Sequence, residues 1–150
     1  MDYYNLKSSE TFLVSLKAFI VNKEKLLILK FPQQQGEDWE GKWCLPGGLL
    51  EMDENIESGL TREVKEETGL NIKIGYIFSV ADFRYDSFIF KDGRKLRVRF
   101  IEIGFICKYT GGKVVISDEH SDYKWVGKTE LKNLDFTPDS KKLVEDFYEK

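Results

Sequence analysis

Three glutamates, Glu63, Glu66 and Glu67, are spaced i, i+3 and i+4. On a helix that spacing crowds the carboxylates onto one patch, at a cost of roughly a few tenths of a kcal/mol per like-charged pair. Successive helical residues turn by about 100°, so Ile56, Leu60 and Val64 form an apolar stripe. A core-facing helix keeps its charges opposite such a stripe, as Lys65 does. Glu67 instead projects onto the stripe between Ile56 and Leu60. Glu63 borders its edge, and Glu66 lies further round on Glu63's side. Carboxylates drawn toward a core are costly unless something neutralises them, and Arg62 is one charge against three. Clustered oxygen ligands suit hard divalent cations such as Mg²⁺ or Mn²⁺. A solvated acidic face has the same residues; the inward direction of two of the acids weighs against it.

The preceding loop runs Pro46-Gly47-Gly48-Leu49-Leu50-Glu51-Met52-Asp53-Glu54. Adjacent glycines let a backbone come close to a ligand and turn its amides or carbonyls toward a metal or a phosphate. A Gly-Gly turn feeding a helix with three clustered acids, two of them inward, is therefore a candidate metal–phosphate site.

From Gly48 to Leu70 the sequence reads GLLEMDENIESGLTREVKEETGL. This resembles the Nudix box, G-x5-E-x7-R-E-U-x-E-E-x-G-U with U aliphatic. Gly48, Glu54, Arg62, Glu63, Val64, Glu66, Glu67, Gly69 and Leu70 fill its defined positions, and Trp43-Cys44-Leu45-Pro46-Gly47-Gly48 resembles the family's lead-in. Asp53 stands where family members often have glycine, which bears on the loop's shape and not on the chemistry. The resemblance implies an α/β/α sandwich around a mixed β-sheet and hydrolysis of a diphosphate linkage in a nucleoside diphosphate derivative. It implies Glu63, Glu66, Glu67 and the Gly47 carbonyl as metal ligands, Arg62 as the residue orienting the glutamates, and Glu54 as a brace between loop and helix. Gly48 and Gly69 are structural in the motif. The general base is Glu66 or Glu119; Glu119, a metal ligand or the base, lies in SDEHSDYKW, which resembles the family's acidic loop before a Tyr-x-Trp strand. His120 beside it reads as structural or exposed. Asp139 resembles a position that contacts the base in some triphosphate-cleaving members, and it is also a plain acid at a helix N-terminus.

The elements that must hold these residues can be read from pattern. Thr11–Val21 and Lys25–Phe31 read as a hairpin about Asn22–Glu24, and Gln33–Lys42 as an exposed loop. Asp53 or Asn55 caps a helix ending near Thr68, with Gly69 as its stop. Ile72–Phe83 and Lys95–Lys108 are β-rich, joined through an Asp92-Gly93 turn. Gly111-Gly112 leads to a β-branched stretch at Val114-Val115-Ile116, Asp122–Val126 is another strand, and the spacing from Pro138 through Phe147 is helical. Strands with interspersed helices predict an α/β (α+β) chain with a mixed sheet. With no repeat or linker composition, residues 1–150 read as a single domain.

A formal charge of -3 supplies no basic field for long nucleic acid. Two cysteines without a CxxC pair exclude a disulfide scaffold, no apolar run is long enough to span a bilayer, and the start lacks a leader pattern. A cytoplasmic protein with a small nucleotide as partner, and no membrane, is expected; homodimers are common in the family. Cysteines for a zinc ribbon are missing, and so is the downstream proline of the ADP-ribose subgroup, the prolines being Pro32, Pro46 and Pro138. By exclusion the MutT-like group remains, with nucleoside triphosphates, normal or oxidised, as substrates. The alternatives are an ADP-ribose or nucleotide-sugar pyrophosphatase, and a non-catalytic nucleotide sensor. Lys95, Arg97 and Arg99 alternate on one strand face, toward phosphate, a dimer partner or water. Trp39, Phe78, Phe83 and Phe88 are packing residues or stack on a base, and Tyr85, near where dinucleoside-polyphosphate members carry a tyrosine, reads as a core or rim aromatic. Replacing Glu66 by Gln is expected to lower turnover by orders of magnitude with the unfolding transition unchanged, as steady-state kinetics beside a melting curve would show.

Overall fold

Strand β1 (Glu10–Asn22) carries the apolar run Leu16–Val21 and organises the sheet. The structure is a computed structural model that describes residues 7–33 and 39–149. The tips of the Asn22–Glu24 turn are Lys23 and Glu24, both at positive φ, and lead directly into β2 (Lys25–Lys30). Then follow β3 (Trp43–Cys44), β4 (Gly47–Leu49), α1 (Ile56–Thr68), β5 (Asn71–Ile89), β6 (Lys95–Gly111), β7 (Asp122–Val126), α2 (Lys128–Leu131) and α3 (Pro138–Glu149). Residues 34–38 of the expected Gln33–Lys42 loop lie outside the described residues.

Among the described residues the strands form one mixed sheet, in the order β3-β2-β1-β6-β5, with β4 beside β1 and β7 beside β2. β1 and β6 run parallel from Glu10↔Arg97 to Val21↔Lys108, whereas the other strand pairs are antiparallel. On its other edge β1 has two neighbours in succession, β4 at Ser15–Lys17 and β2 at Val21–Asn22. Alternation then sorts the side chains. Leu16, Ala18 and Ile20 pack with Leu60 and Val64 of α1, while Phe19 packs with Leu143 and Val144 of α3. The result is the α/β/α sandwich with a mixed sheet.

Helix α1 begins where Asn55 accepts from the Ser58 N–H at 2.8 Å and the Ser58 hydroxyl accepts from the Asn55 N–H at 3.1 Å. This reciprocal pair fixes Asn55, not Asp53, as the cap. The helix ends at Gly69, whose φ of 73° is costly for any side chain. Ile56, expected on the apolar stripe, is 40% exposed, because the stripe reaches the sheet only from Leu60 onward.

Two expectations need correction. Gly47 and Gly48 are not a free turn but lie in β4, paired with Lys17 and Leu16. Val114–Ile116 is not a strand: the Val115 N–H is taken by the Thr68 carbonyl at the end of α1, so a neighbouring strand has no claim on it. Phe78, a candidate for base stacking, is instead edge-on to Phe19 at 4.9 Å, under α3. No helix among the described residues is long and apolar enough to cross a membrane. Since Leu60 is fully buried between α1 and the sheet, Leu60→Ala should cost about 2–5 kcal/mol of stability in a urea titration.

Candidate active site

Glu67 is carried inward by the same face of α1 that buries Leu60 and Val64, and only 5% of it is exposed. Its Oε1 accepts a hydrogen bond from the Gly47 N–H at 2.8 Å, so the β4 backbone and the helix are clasped together. Both glycines are needed there. A Cβ on Gly47, whose φ is 146°, would lie 1.9 Å from the Leu16 carbonyl oxygen, and one on Gly48 would lie 2.6 Å from the Glu63 carboxyl. Gly48 thus leaves the room that Glu63 fills.

Arg62 ties the remaining acids together. Its Nε and Nη2 donate to the two oxygens of Glu54 at 2.9 and 2.8 Å, a bidentate pair, and its Nη1 donates to Glu63 at 3.0 Å and Glu66 at 3.2 Å. Hydrogen bonds from Arg62 and from the Glu51 N–H hold Glu54 down to about 2. The Glu54 pair, with Glu63 and Glu51 beside it, pushes the guanidinium further up. Glu66 is not inward: its side chain is 60% exposed, at the rim of the group.

Burial pushes Glu67 up to about 8, against the pull of Lys17 and the Gly47 N–H, and the charges of Glu63 and Glu119 add to the rise. Burial also raises Glu63, with Arg62 opposing it. One ligand atom from each of Glu67, Glu119 and His120 lies within 4.8 Å of the others. Glu63 and Glu67, both with raised proton affinities, share the Arg62 guanidinium and the Lys17 ammonium with the other acids of the group, which is short of positive charge. Its oxygen donors match what a hard divalent cation takes, so the residues present fit such an ion.

Next to this group, across Gly48 and Leu49, opens a cleft of about 320 Å³. Phe31, Trp39, Phe83, Tyr85, Phe88 and Phe100 wall it, and Lys17, Glu102 and Asp139 line it as charged groups. Lys17 Nζ is 3.6 Å from Asp139 Oδ2. Burial works against the charge on this ammonium, yet Asp139, Glu102 and Glu67 around it raise its proton affinity overall. Asp139 is penalised by burial and still held below its ordinary value by Lys17 and by backbone hydrogen bonds at the start of α3. Glu102 is pushed up to about 7, first by burial and then by Asp139. Asp139 reaches the cleft because the chain before α3 is pinned to β3: the Trp43 N–H donates to the Asp135 carbonyl, and the Thr137 N–H to the Trp43 carbonyl.

The NUDIX domain pattern matches residues 12–147. The chain belongs to the Nudix family. It is 35% identical over 118 residues to the nucleoside triphosphatase NudI of Klebsiella pneumoniae (strain 342), covering 77% of this chain and 82% of that protein. The crystal structure of a MutT protein from Methanosarcina mazei Go1 superposes with a TM-score of 0.73 at 27% identity, over 95% of this chain and 96% of the other. The E. coli ORF135 protein has the same fold, with a TM-score of 0.74 at 22% identity over 94% and 91% of the two chains. As in its relatives, the Nudix fold here serves a hydrolase.

Of the residues expected in this Nudix site, Glu63, Glu67 and Glu119 come together, Gly47 takes part through its N–H, Arg62 and Glu54 form the fork, and Asp139 stands in the adjoining cleft. Trp39, Phe83, Tyr85 and Phe88 line that cleft. Arg97 and Arg99 are outside it, paired with Glu10 and Asp86 and with Asp82 on neighbouring strands. Sequence reading passed over Lys17, Glu102 and the partnership of Cys44 with His120. A lone charge inside the apolar runs LVSLKAFIV and FIEIGFI was the available signal for the first two. His120, read as structural or exposed, is buried.

Folded Glu67 and Glu102 hold protons up to about pH 8 and about pH 7, while unfolded glutamates release theirs near 4.5. The unfolded chain therefore binds fewer protons between about pH 5 and 8, and stability must fall as the pH rises through that window. Thermal unfolding of the metal-free chain should show a declining Tm, and Glu67→Gln should flatten the slope. A level profile in the unsubstituted chain would mean that these carboxylates ionise without cost.

Proposed function

We propose that this Nudix hydrolase cleaves a nucleoside triphosphate, normal or oxidised, to the monophosphate and pyrophosphate. The observation that carries this reading is the adjacency of two chemistries: the acid cluster of α1 and an aromatic-walled cleft with charged groups meet at Gly48. A triphosphate and its base need those two environments side by side. The name of the 35%-identical relative, a nucleoside triphosphatase, supports the same choice.

Glu63, Glu67 and Glu119, with Glu66 and the Gly47 carbonyl, would hold Mg²⁺, or Mn²⁺ in its place. Such an ion neutralises phosphate oxygens and lowers the pKa of a bound water. Arg62 keeps Glu63 and Glu66 oriented by donating to both, and Glu54 holds Arg62 in place. The attacking water must lose a proton to a carboxylate, and Glu66 or Glu119, each open to solvent, takes it. In the cleft the ring faces of Trp39, Phe83 and Phe88 receive a base, and Asp139 meets its polar edge. Residues 1–150 act as one domain in this reading. Two buried free cysteines are in keeping with a reducing cytoplasm, and the net charge of -3 with a small substrate rather than long nucleic acid. A homodimer is part of the same proposal.

The test is a phosphate-release screen, with added pyrophosphatase for nucleoside triphosphates and oxidised dGTP and with added alkaline phosphatase for ADP-ribose, nucleotide sugars and dinucleoside polyphosphates, each with Mg²⁺ or with a chelator. Triphosphates should be cleaved in the presence of Mg²⁺ only. Cleavage of ADP-ribose alone would overturn the substrate and leave the chemistry; binding without cleavage of any nucleotide would indicate a sensor.

A further inference from the structure

His120 is the sole histidine of the chain. It follows Glu119 in the loop before β7, and its side chain is 2% exposed. Phe31 packs against the ring at 4.9 Å between centroids, which fixes its plane. One ring nitrogen, Nε2, lies 3.5 Å from the Cys44 sulfur. The other, Nδ1, lies 3.5 Å from Glu67 Oε2, yet it makes no hydrogen bond.

A neutral imidazole has one N–H and one lone pair. With the ring proton on Nε2, directed at the Cys44 sulfur, Nδ1 presents a bare lone pair toward the carboxylates. Buried ring nitrogens are rarely left without a partner. Here the Nδ1 lone pair converges with the oxygens of Glu67 and Glu119 on a region less than 4.8 Å across. A divalent cation in that region would meet the Nδ1 lone pair and both carboxylates at once. Metal-bound histidines also hold their second nitrogen on another group, which fixes the tautomer; Cys44 stands in that position.

We propose that His120, through Nδ1, is a ligand of the divalent cation beside Glu67 and Glu119, giving the site a mixed nitrogen and oxygen donor set. This rests on the reading of the acid cluster as the metal site. An imidazole ligand favours Mn²⁺ and later first-row ions relative to Mg²⁺, so this residue biases which metal the enzyme carries.

The experiment adds Mn²⁺ to the metal-free full-length chain and records the electron spin echo modulation, with histidine at natural abundance and labelled with ¹⁵N. Because the chain has one histidine, a change of modulation between the two samples is His120 bound to the metal, and no variant is required. That change is the expected result. In His120→Gln it should be absent, and the Mn²⁺ Kd should rise about tenfold while that for Mg²⁺ moves less. Mn²⁺ that binds in a Glu67-dependent way without any nitrogen coupling would overturn the proposal and leave the acid cluster as an all-oxygen site. No Mn²⁺ binding by the unsubstituted chain would overturn both.

Discussion

One hydrogen bond, from the Gly47 N–H to Glu67, decides how the rest of the site is built. A carboxylate turned toward a core is unfavourable unless donors or charge meet it, and here the strand backbone brings the first donor. For that donor to reach, β4 must lie against β1, with Gly47 so close to it that a Cβ would stand 1.9 Å from the Leu16 carbonyl oxygen. Once β4 is there, Glu63 can enter only over the bare α-carbon of Gly48. The clasp therefore sets strand pairing, glycine placement and carboxylate position together. A side chain at either glycine would disturb all three.

Charge is distributed with the same economy. Arg62 stands at the rim and touches Glu54, Glu63 and Glu66, while Lys17 stands on the other side, where the cleft begins, among Asp139, Glu102 and Glu67. The two cations border the acid cluster and leave its centre electronegative. Each also links the cluster to something else, Arg62 to the loop through Glu54 and Lys17 to the start of α3 through Asp139.

The helix and its acids were legible in the sequence because their pattern is local. Thirteen consecutive residues set the face on which Glu67 points inward, and Asn55 and Gly69 mark its ends. The relation of Glu67 to β4 was not legible beyond the motif resemblance, since it depends on β1 accepting β4 as a neighbour. Glu66 shows the limit of periodicity: a helical wheel put it near Glu63, but it could not say that the surface there stays open. Val114–Ile116 has β-branched residues without a strand, because the end of α1 takes the backbone donor of Val115. Lys17 and Glu102 become diagonal neighbours on one face of the sheet through the registers Ser15↔Glu102 and Lys17↔Gly104, which nothing in either strand alone reveals. Cys44 and His120 are likewise joined only by the pairing of β2 with both β3 and β7.

The parallel pairing of β1 with β6 has a consequence for how the chain reaches its native state. β1 begins at residue 10 and its main neighbour at residue 95, so its longest ladder closes over most of the chain. Contacts of such wide sequence separation slow folding, since the entropy of closing the loop is lost before the ladder repays it. During synthesis the apolar strand LVSLKAFIV emerges early and waits with that edge open, a period of exposure to mispairing. The early hairpin with β2 buries only its far end. The nascent chain thus carries its most adhesive strand with one edge unprotected until the ribosome has passed the end of β6 at Gly111.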